Sequence, residues 1–169
     1  SWKSPLASIL NAAPSAPTGL TSGVGTVGNN NGPGIRGTAE STATVNIYSI
    51  DQCDGGVAAS GTGAAFSGST GILVSVLDNT TTTFWAQQID QAGNPSPCSS
   101  TVGSSATYRE DSVFPPSPSG LSVSPSSPAN NNSPKIRGDL SGLDENDRGA
   151  SIVRVYSNSN CSTLVAEGN

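Results

Sequence analysis

Three cysteines and a few carboxylates are the residues of this 169-residue sequence best equipped for chemistry, because it contains no histidine. Nucleophilic catalysis by a Ser–His or Cys–His pair is therefore unavailable in its usual form. The adjacent carboxylates Glu110 and Asp111 lie where a strand is expected. Neighbours on a strand point to opposite faces, which is a poor arrangement for paired acid–base work. A second acidic group, Asp144, Glu145 and Asp147, sits in a short insertion. Hard cations take several oxygen ligands, so these three are calcium candidates, although their spacing does not follow an EF-hand loop. The other reading is a solvated polar loop. Zinc is disfavoured by the lack of any CxxC pair. No catalytic residue and no cofactor is expected.

The cysteines take their meaning from an internal repeat, which must be found before the fold is read. Asn29-Asn30-Asn31-Gly32-Pro33-Gly34-Ile35-Arg36-Gly37 recurs as Asn130-Asn131-Asn132-Ser133-Pro134-Lys135-Ile136-Arg137-Gly138. The match runs back to Pro17-Thr18-Gly19-Leu20 and Pro118-Ser119-Gly120-Leu121. It runs forward, past the insertion, to Val45-Asn46-Ile47-Tyr48-Ser49 and Val153-Arg154-Val155-Tyr156-Ser157, and pairs Cys53 with Cys161. The expected organisation is a terminal strand or repeat tail over 1–13, a complete repeat over 14–112 and a partial repeat over 113–169. Cys53 and Cys98 then belong to one repeat, while the partner of Cys161 belongs to the half without a counterpart. One disulfide per repeat, Cys53–Cys98, implies an oxidising compartment, with Cys161 unpaired or completed by the missing half. Three free thiols in a reducing compartment is the alternative. The bond would close a loop of about 46 residues, worth roughly 4 kcal/mol by chain entropy.

Composition narrows the partners. Net charge is −5 with no basic cluster, which argues against nucleic acid and against an anionic membrane surface. No apolar run reaches membrane-spanning length, so no membrane insertion is expected. Asn79, Asn131 and Asn160 each open an Asn-x-Ser/Thr triplet and are glycan candidates, though such triplets also arise by chance in an Asn/Ser/Thr-rich chain.

The elements that must position these residues are short strands. Ala43–Ile50 alternates with period two, placing Ala43, Val45 and Ile47 on one face. Ile72–Leu77 does the same with Ile72, Val74 and Val76. Thr81–Ile89 places Thr82, Phe84, Ala86 and Gln88 on one face and Thr83, Trp85, Gln87 and Ile89 on the other. A first strand is expected near Leu20–Val27, another from Ile35, a short edge strand within Val57–Phe66 and a last one reaching Tyr108. No helix is credible. If Val45, Ile47, Phe84 and Ala86 face the core, then Tyr48, Ile50, Trp85 and Ile89 form an outward apolar patch suited to a contact with another subunit or domain. About seven short strands point to an all-β chain of antiparallel two-sheet sandwiches.

Taken in order, Pro17/Leu20, Ile35/Gly37, Val45-Asn46-Ile47-Tyr48, Cys53, Thr82-Thr83-Phe84-Trp85-Ala86 and Asp90-Gln91-Ala92-Gly93-Asn94-Pro95-Ser96-Pro97-Cys98-Ser99 resemble the bacterial immunoglobulin-like (Big-type) repeats of large secreted or cell-surface proteins. The resemblance covers Pro14 to Asp111 and, in part, Phe114 to Asn169. It implies an extracellular stalk, adhesin or fibre, without conserved chemistry. The function expected is a structural subunit of a surface fibre, its partners being other copies or adjacent repeats and possibly glycans. A carbohydrate- or protein-binding adhesin module, or an accessory domain of a larger secreted enzyme, are the alternatives.

Overall fold

The computed structural model describes residues 12–143, 147 and 151–168. The terminal strand expected over 1–13 falls almost wholly outside them. The chain divides into two units, Ser1–Ser112 and Val113–Asn169, and the described residues are mostly β.

Among the described residues, the first unit contains two sheets. β1 (Thr18–Ser22), β3 (Gly34–Thr38) and β6 (Ile72–Leu73) form a three-stranded sheet in the order β1-β3-β6. β2 (Val27–Gly28), β8 (Ala106–Glu110), β7 (Thr81–Ile89), β4 (Thr44–Tyr48) and β5 (Ala59–Thr62) form a five-stranded sheet in the order β2-β8-β7-β4-β5. All pairings are antiparallel except β2 with β8. The expected strand over Leu20–Val27 is thus two strands in different sheets. Gly25, at φ +92°, lies in the connection, where a left-handed backbone suits glycine.

One core joins the sheets. Leu20, Ile35 and Ile72 from the smaller sheet meet Val45, Ile47, Phe84, Ala86, Ala106 and Tyr108 from the larger. The period-two patterns explain why: Phe84, Ala86 and Gln88 of β7 are buried, and the residues between them are only half-buried. Ile72, Val74 and Val76 are all buried, as their alternation predicts. Only Ile72–Leu73 forms ladder pairs, yet the backbone N–H groups of Val74 and Val76 continue the pairing by donating to Pro33 and Asn31 carbonyls at 3.0 Å each.

A helical turn, α1 (Gly63–Phe66), corrects the expectation of no helix. Thr62 caps it, its Oγ1 accepting the Ala65 N–H at 3.1 Å. The turn swings Phe66 fully into the core. It also explains Gly37 of the Ile-Arg-Gly motif, since a Cβ there would come within 2.8 Å of the Phe66 ring and 2.7 Å of the Thr18 carbonyl oxygen.

With few large apolar residues, the unit relies on polar side chains that complete backbone hydrogen bonding. β8 pairs with β7 only from Thr81 to Phe84. Beyond that point, serines of the following loop take over. Ser99 Oγ accepts the Ala86 N–H at 3.0 Å and donates to the Ser104 carbonyl at 2.8 Å, and Ser96 Oγ accepts the Gln88 N–H at 3.1 Å. Buried Gln88 donates to the Ser15 carbonyl at 2.6 Å and accepts the Glu40 N–H at 2.8 Å, fixing the Pro14–Pro17 segment to the sheet. Buried Tyr108 donates its hydroxyl to the Gly28 carbonyl at 2.6 Å. Burial raises its pKa above the usual phenol value, and the neighbouring Glu110 carboxylate adds to the effect.

Among the described residues, the second unit holds two hairpins. β9 (Ser119–Ser124) pairs with β10 (Lys135–Asp139), and β11 (Val153–Tyr156) pairs with β12 (Leu164–Gly168). The repeat extends to register: Thr18↔Thr38, Thr21↔Arg36 and Ser22↔Ile35 recur as Ser119↔Asp139, Ser122↔Arg137 and Val123↔Ile136. Both ladders are irregular near the same glycine, Gly19 at φ +62° and Gly120 at φ +60°, which a β-bulge requires and few other residues tolerate.

Ser99→Ala should destabilise the first unit by about 1–3 kcal/mol, because it leaves the buried Ala86 N–H without a partner. Ser105→Ala, at an exposed position, should stay within about 0.5 kcal/mol. Urea unfolding of both variants checks this, and equal midpoints would contradict the role given to Ser99.

Candidate functional site: a disulfide-tied cluster and its unpaired counterpart

Cys53 lies in the loop after β4 and Cys98 in the loop after β7, and the two are joined with their Cα atoms 5.7 Å apart. Both loops leave the five-stranded sheet, so the bond ties two loops of one sheet together. Cys53 adopts a left-handed backbone (φ +54°) in a turn closed by its N–H on the Ile50 carbonyl at 3.1 Å. Beneath the bond lie Tyr48 and Trp85, paired across β4 and β7, and these form a small apolar cluster with the two cysteines.

This arrangement corrects the expected contact patch of Tyr48, Ile50, Trp85 and Ile89. The side-chain directions are as the alternation predicts, away from the main core. Tyr48 and Trp85 are nevertheless covered, because the disulfide-linked Cys53 and Cys98 pack against them. Tyr48 is buried, Trp85 and Ile89 are half-buried, and Ile50 alone is exposed, with its side chain against Gly55.

The Asp90–Asn94 stretch ahead of Cys98 is a carboxylate-built turn. Asp90 Oδ1 accepts the N–H groups of Ala92 (2.9 Å) and Asn94 (2.8 Å), and Oδ2 accepts Asn94 Nδ2 at 2.9 Å. Gly93, at φ +89°, supplies the left-handed step. The side-chain and backbone hydrogen bonds from Asn94 hold the Asp90 carboxyl below the usual aspartate range.

The remaining candidates separate. Glu110 and Asp111 do diverge: Glu110 is buried and its Oε2 accepts the Asn79 N–H at 2.6 Å, whereas Asp111 pairs with Arg109 at 3.0 Å. Glu110 thereby braces the loop at Asn79. Asp144 and Glu145 lie outside the described residues, and Asp147 is half-buried with its carbonyl accepting the Ser151 N–H at 3.0 Å. Among the described residues, no group of three or more His, Cys, Asp or Glu could hold a metal ion. Asn79, Asn131 and Asn160 are all exposed, and their Oδ1 atoms accept from the Ser112 N–H (3.1 Å), the Ser133 N–H (2.7 Å) and Ser162 Oγ (2.8 Å). No described helix is long and apolar enough to cross a membrane.

Cys161 reproduces the Cys53 turn. Its φ is +52°, and its N–H closes on the Asn158 carbonyl at 3.3 Å, the counterpart of Ile50. The thiol is free and exposed. The structure thus presents one cysteine turn locked by a partner and a second, in the same conformation, without one. No protein-family model, curated protein or solved structure matches this chain.

Two outcomes are expected. In a Trp2→Phe background, reduction should lower first-unit stability by about 4 kcal/mol, from the loop entropy of a 45-residue separation, and red-shift Trp85 fluorescence as its cover loosens. Unfolding titrations with and without reductant measure this, and coincident curves would count against it. The second concerns pH. Because the folded Asp90 pKa lies below its ordinary 3.8, Asp90 stabilises the fold above that value and loses this contribution as pH falls through the folded pKa. The stability gap between the parent and Asp90→Ala should therefore be full near neutral pH and shrink in acid. A gap that widened in acid would show the sign to be wrong.

Proposed function

We propose that this chain is part of an extracellular fibre or stalk assembled from disulfide-stabilised, immunoglobulin-like sandwich repeats. The observation that carries the reading is the strand order. β1-β3-β6 opposite β2-β8-β7-β4-β5 is the order in which an immunoglobulin-like sandwich distributes its strands, with the fourth, seventh and eighth adjacent in one sheet. A short second strand parallel to the last belongs to the same pattern. The bacterial Big-type repeats are the class whose motif order the sequence follows.

Several features support a mechanical role. The motif residues explained above are structural: Gly19 and Gly37 permit the bulge and the close strand approach, Asp90 and Asn94 build a turn, and the cysteines tie loops. The Asn29–Gly34 loop is braced against the stretch after β6, Asn31 Nδ2 donating to the Val76 carbonyl (3.1 Å) and to Asp78 (2.7 Å). Under tension, the disulfide shields the segment between Cys53 and Cys98, a sequence separation of 45, from extension. Reduction would free about 150 Å of contour, at roughly 3.4 Å per residue. Val113–Pro118, rich in proline, joins two successive repeats as a semi-rigid spacer. An oxidising extracellular setting keeps the bond closed.

Electron microscopy of the native material at near-physiological salt tests the proposal. Long fibres or beaded rods with a regular axial period are the expected result. Isolated globular particles that bind a glycan array selectively and saturably would replace it with the adhesin reading.

A further inference from the structure

Asn31-Gly32 is the single Asn-Gly pair in the sequence. In such a pair the backbone nitrogen of the glycine can add to the asparagine side-chain amide, because glycine brings no side chain to shield it. Asn31 and Gly32 are both exposed, so water has access to them. They also lie in the loop that leads into β3, and the fold ties up each group that this reaction needs.

The Gly32 N–H, which must release its proton before the nitrogen can attack, donates to Asn30 Oδ1 at 2.8 Å. Asn31 Nδ2, which must depart, donates to the Val76 carbonyl at 3.1 Å and to Asp78 Oδ1 at 2.7 Å. The reaction therefore cannot proceed without losing all three bonds. The main chain adds a further restraint. The Asn31 carbonyl accepts the Val76 N–H and the Pro33 carbonyl accepts the Val74 N–H, each at 3.0 Å.

We infer that Asn31 is a deamidation site gated by the fold. The closed loop holds it unreactive, and a loop that has opened and reacted does not close again. Water is the co-reactant. A bond forms between the Gly32 nitrogen and Asn31 Cγ, the Cγ–Nδ2 bond breaks, and the Gly32 proton leaves with Nδ2 as ammonia. Water then opens the cyclic imide at one of its two carbonyls. One product is aspartate, and the other is isoaspartate, in which the main chain runs through the former side chain.

Neither product fits the brace. Aspartate puts an oxygen in the place of Nδ2, facing Asp78 Oδ1 and the Val76 carbonyl, so two donor contacts become contacts between acceptors, one of them between like charges. Isoaspartate lengthens the main chain between the Asn31 and Pro33 carbonyls, whose spacing matches the N–H groups of Val76 and Val74. Those bonds continue the pairing of β3 with β6 and seat Val74 and Val76 in the core. A reaction at an exposed loop is thereby transmitted to one edge of the smaller sheet. Sheet edges open locally before the whole unit unfolds, so the site would record such openings irreversibly, whatever assembly the chain belongs to.

The test incubates the full chain, its Asp78→Ala variant and an unstructured peptide of sequence Gly28–Ile35 at mildly alkaline pH. Peptide mapping separates the asparagine, aspartate and isoaspartate forms. Asn31 of the full chain should react at least tenfold more slowly than the peptide. Asp78→Ala should raise the rate at least threefold and leave Asn132, the matching asparagine of the second repeat, unchanged. A second pair of variants keeps the test independent of how Asp78→Ala folds. Asn31→Asp should speed amide exchange at Val74 and Val76 at least tenfold while Ile47 and Phe84 stay protected. Adding Asp78→Asn, which puts a donor back opposite the new carboxylate, should restore part of that protection. The inference is overturned if the full chain reacts as fast as the peptide. It is equally overturned if Asn31→Asp leaves Val74 and Val76 as protected as in the parent, if it unfolds the whole unit instead of this edge, or if Asp78→Asn restores nothing.

Discussion

A β-sheet with one apolar face must have that face covered, and most of what is particular to this chain follows from how the requirement is met. In the first unit the two sheets cover one another, and a core built from Leu20, Ile35, Val45, Ile47, Phe66, Phe84 and Tyr108 closes between them. Burying each such side chain is worth about 1.5–3 kcal/mol. The matching positions of the second unit carry Leu121 and Ile136, which are exposed, and Val153 and Val155, which are half-buried. Strand pairing is thus common to both repeats. Local register is encoded by the hairpins themselves, whereas burial depends on strands that arrive later in the chain.

A core with only 5% aromatic residues in the whole sequence leaves much of the remaining specification to polar groups. Ser96 and Ser99 stand in for a neighbouring strand where β8 diverges from β7. Gln88 is buried with both ends of its amide engaged, and so contributes order without an unmet hydrogen bond. Asp90 builds a turn, and the disulfide then holds that turn's far end against the β4–β5 loop. Each device acts at the end of the larger sheet where ladder hydrogen bonds run out.

The alternation of Val45 and Ile47, of Ile72, Val74 and Val76, and of Phe84, Ala86 and Gln88 was legible because a strand exposes its two faces with period two, and all of these residues are buried. The repeat itself was legible from Asn-Asn-Asn and Ile-Arg-Gly, and it led to the cysteines. Three features were not. Thr62–Phe66 reads as strand because a single helical turn has too few residues to show a period of 3.6. Ser96 and Ser99 look like any loop serines, since their role depends on where β8 departs, which is a tertiary fact. The face assignment of Tyr48 and Trp85 was right, but their exposure was not. Whether an outward face meets solvent depends on the path of a loop, and only the cysteine positions hinted that this one is pulled across.

That last point bears on why the cysteines sit where they do. A bond across the two sheets would pass through the core and compete with Phe84 and Tyr108 for space. A bond between two loops of one sheet leaves the core alone and instead puts a lid on Tyr48 and Trp85, burying aromatic surface that the thin core does not accommodate. The lid also couples the two halves of the repeat in sequence, since Cys53 lies before β5 and Cys98 after β7. In the second unit Cys161 has the same left-handed backbone as Cys53, and its thiol is free. The cysteine turn is therefore formed by local hydrogen bonding and not imposed by the disulfide, and the bond selects a geometry that the chain already holds.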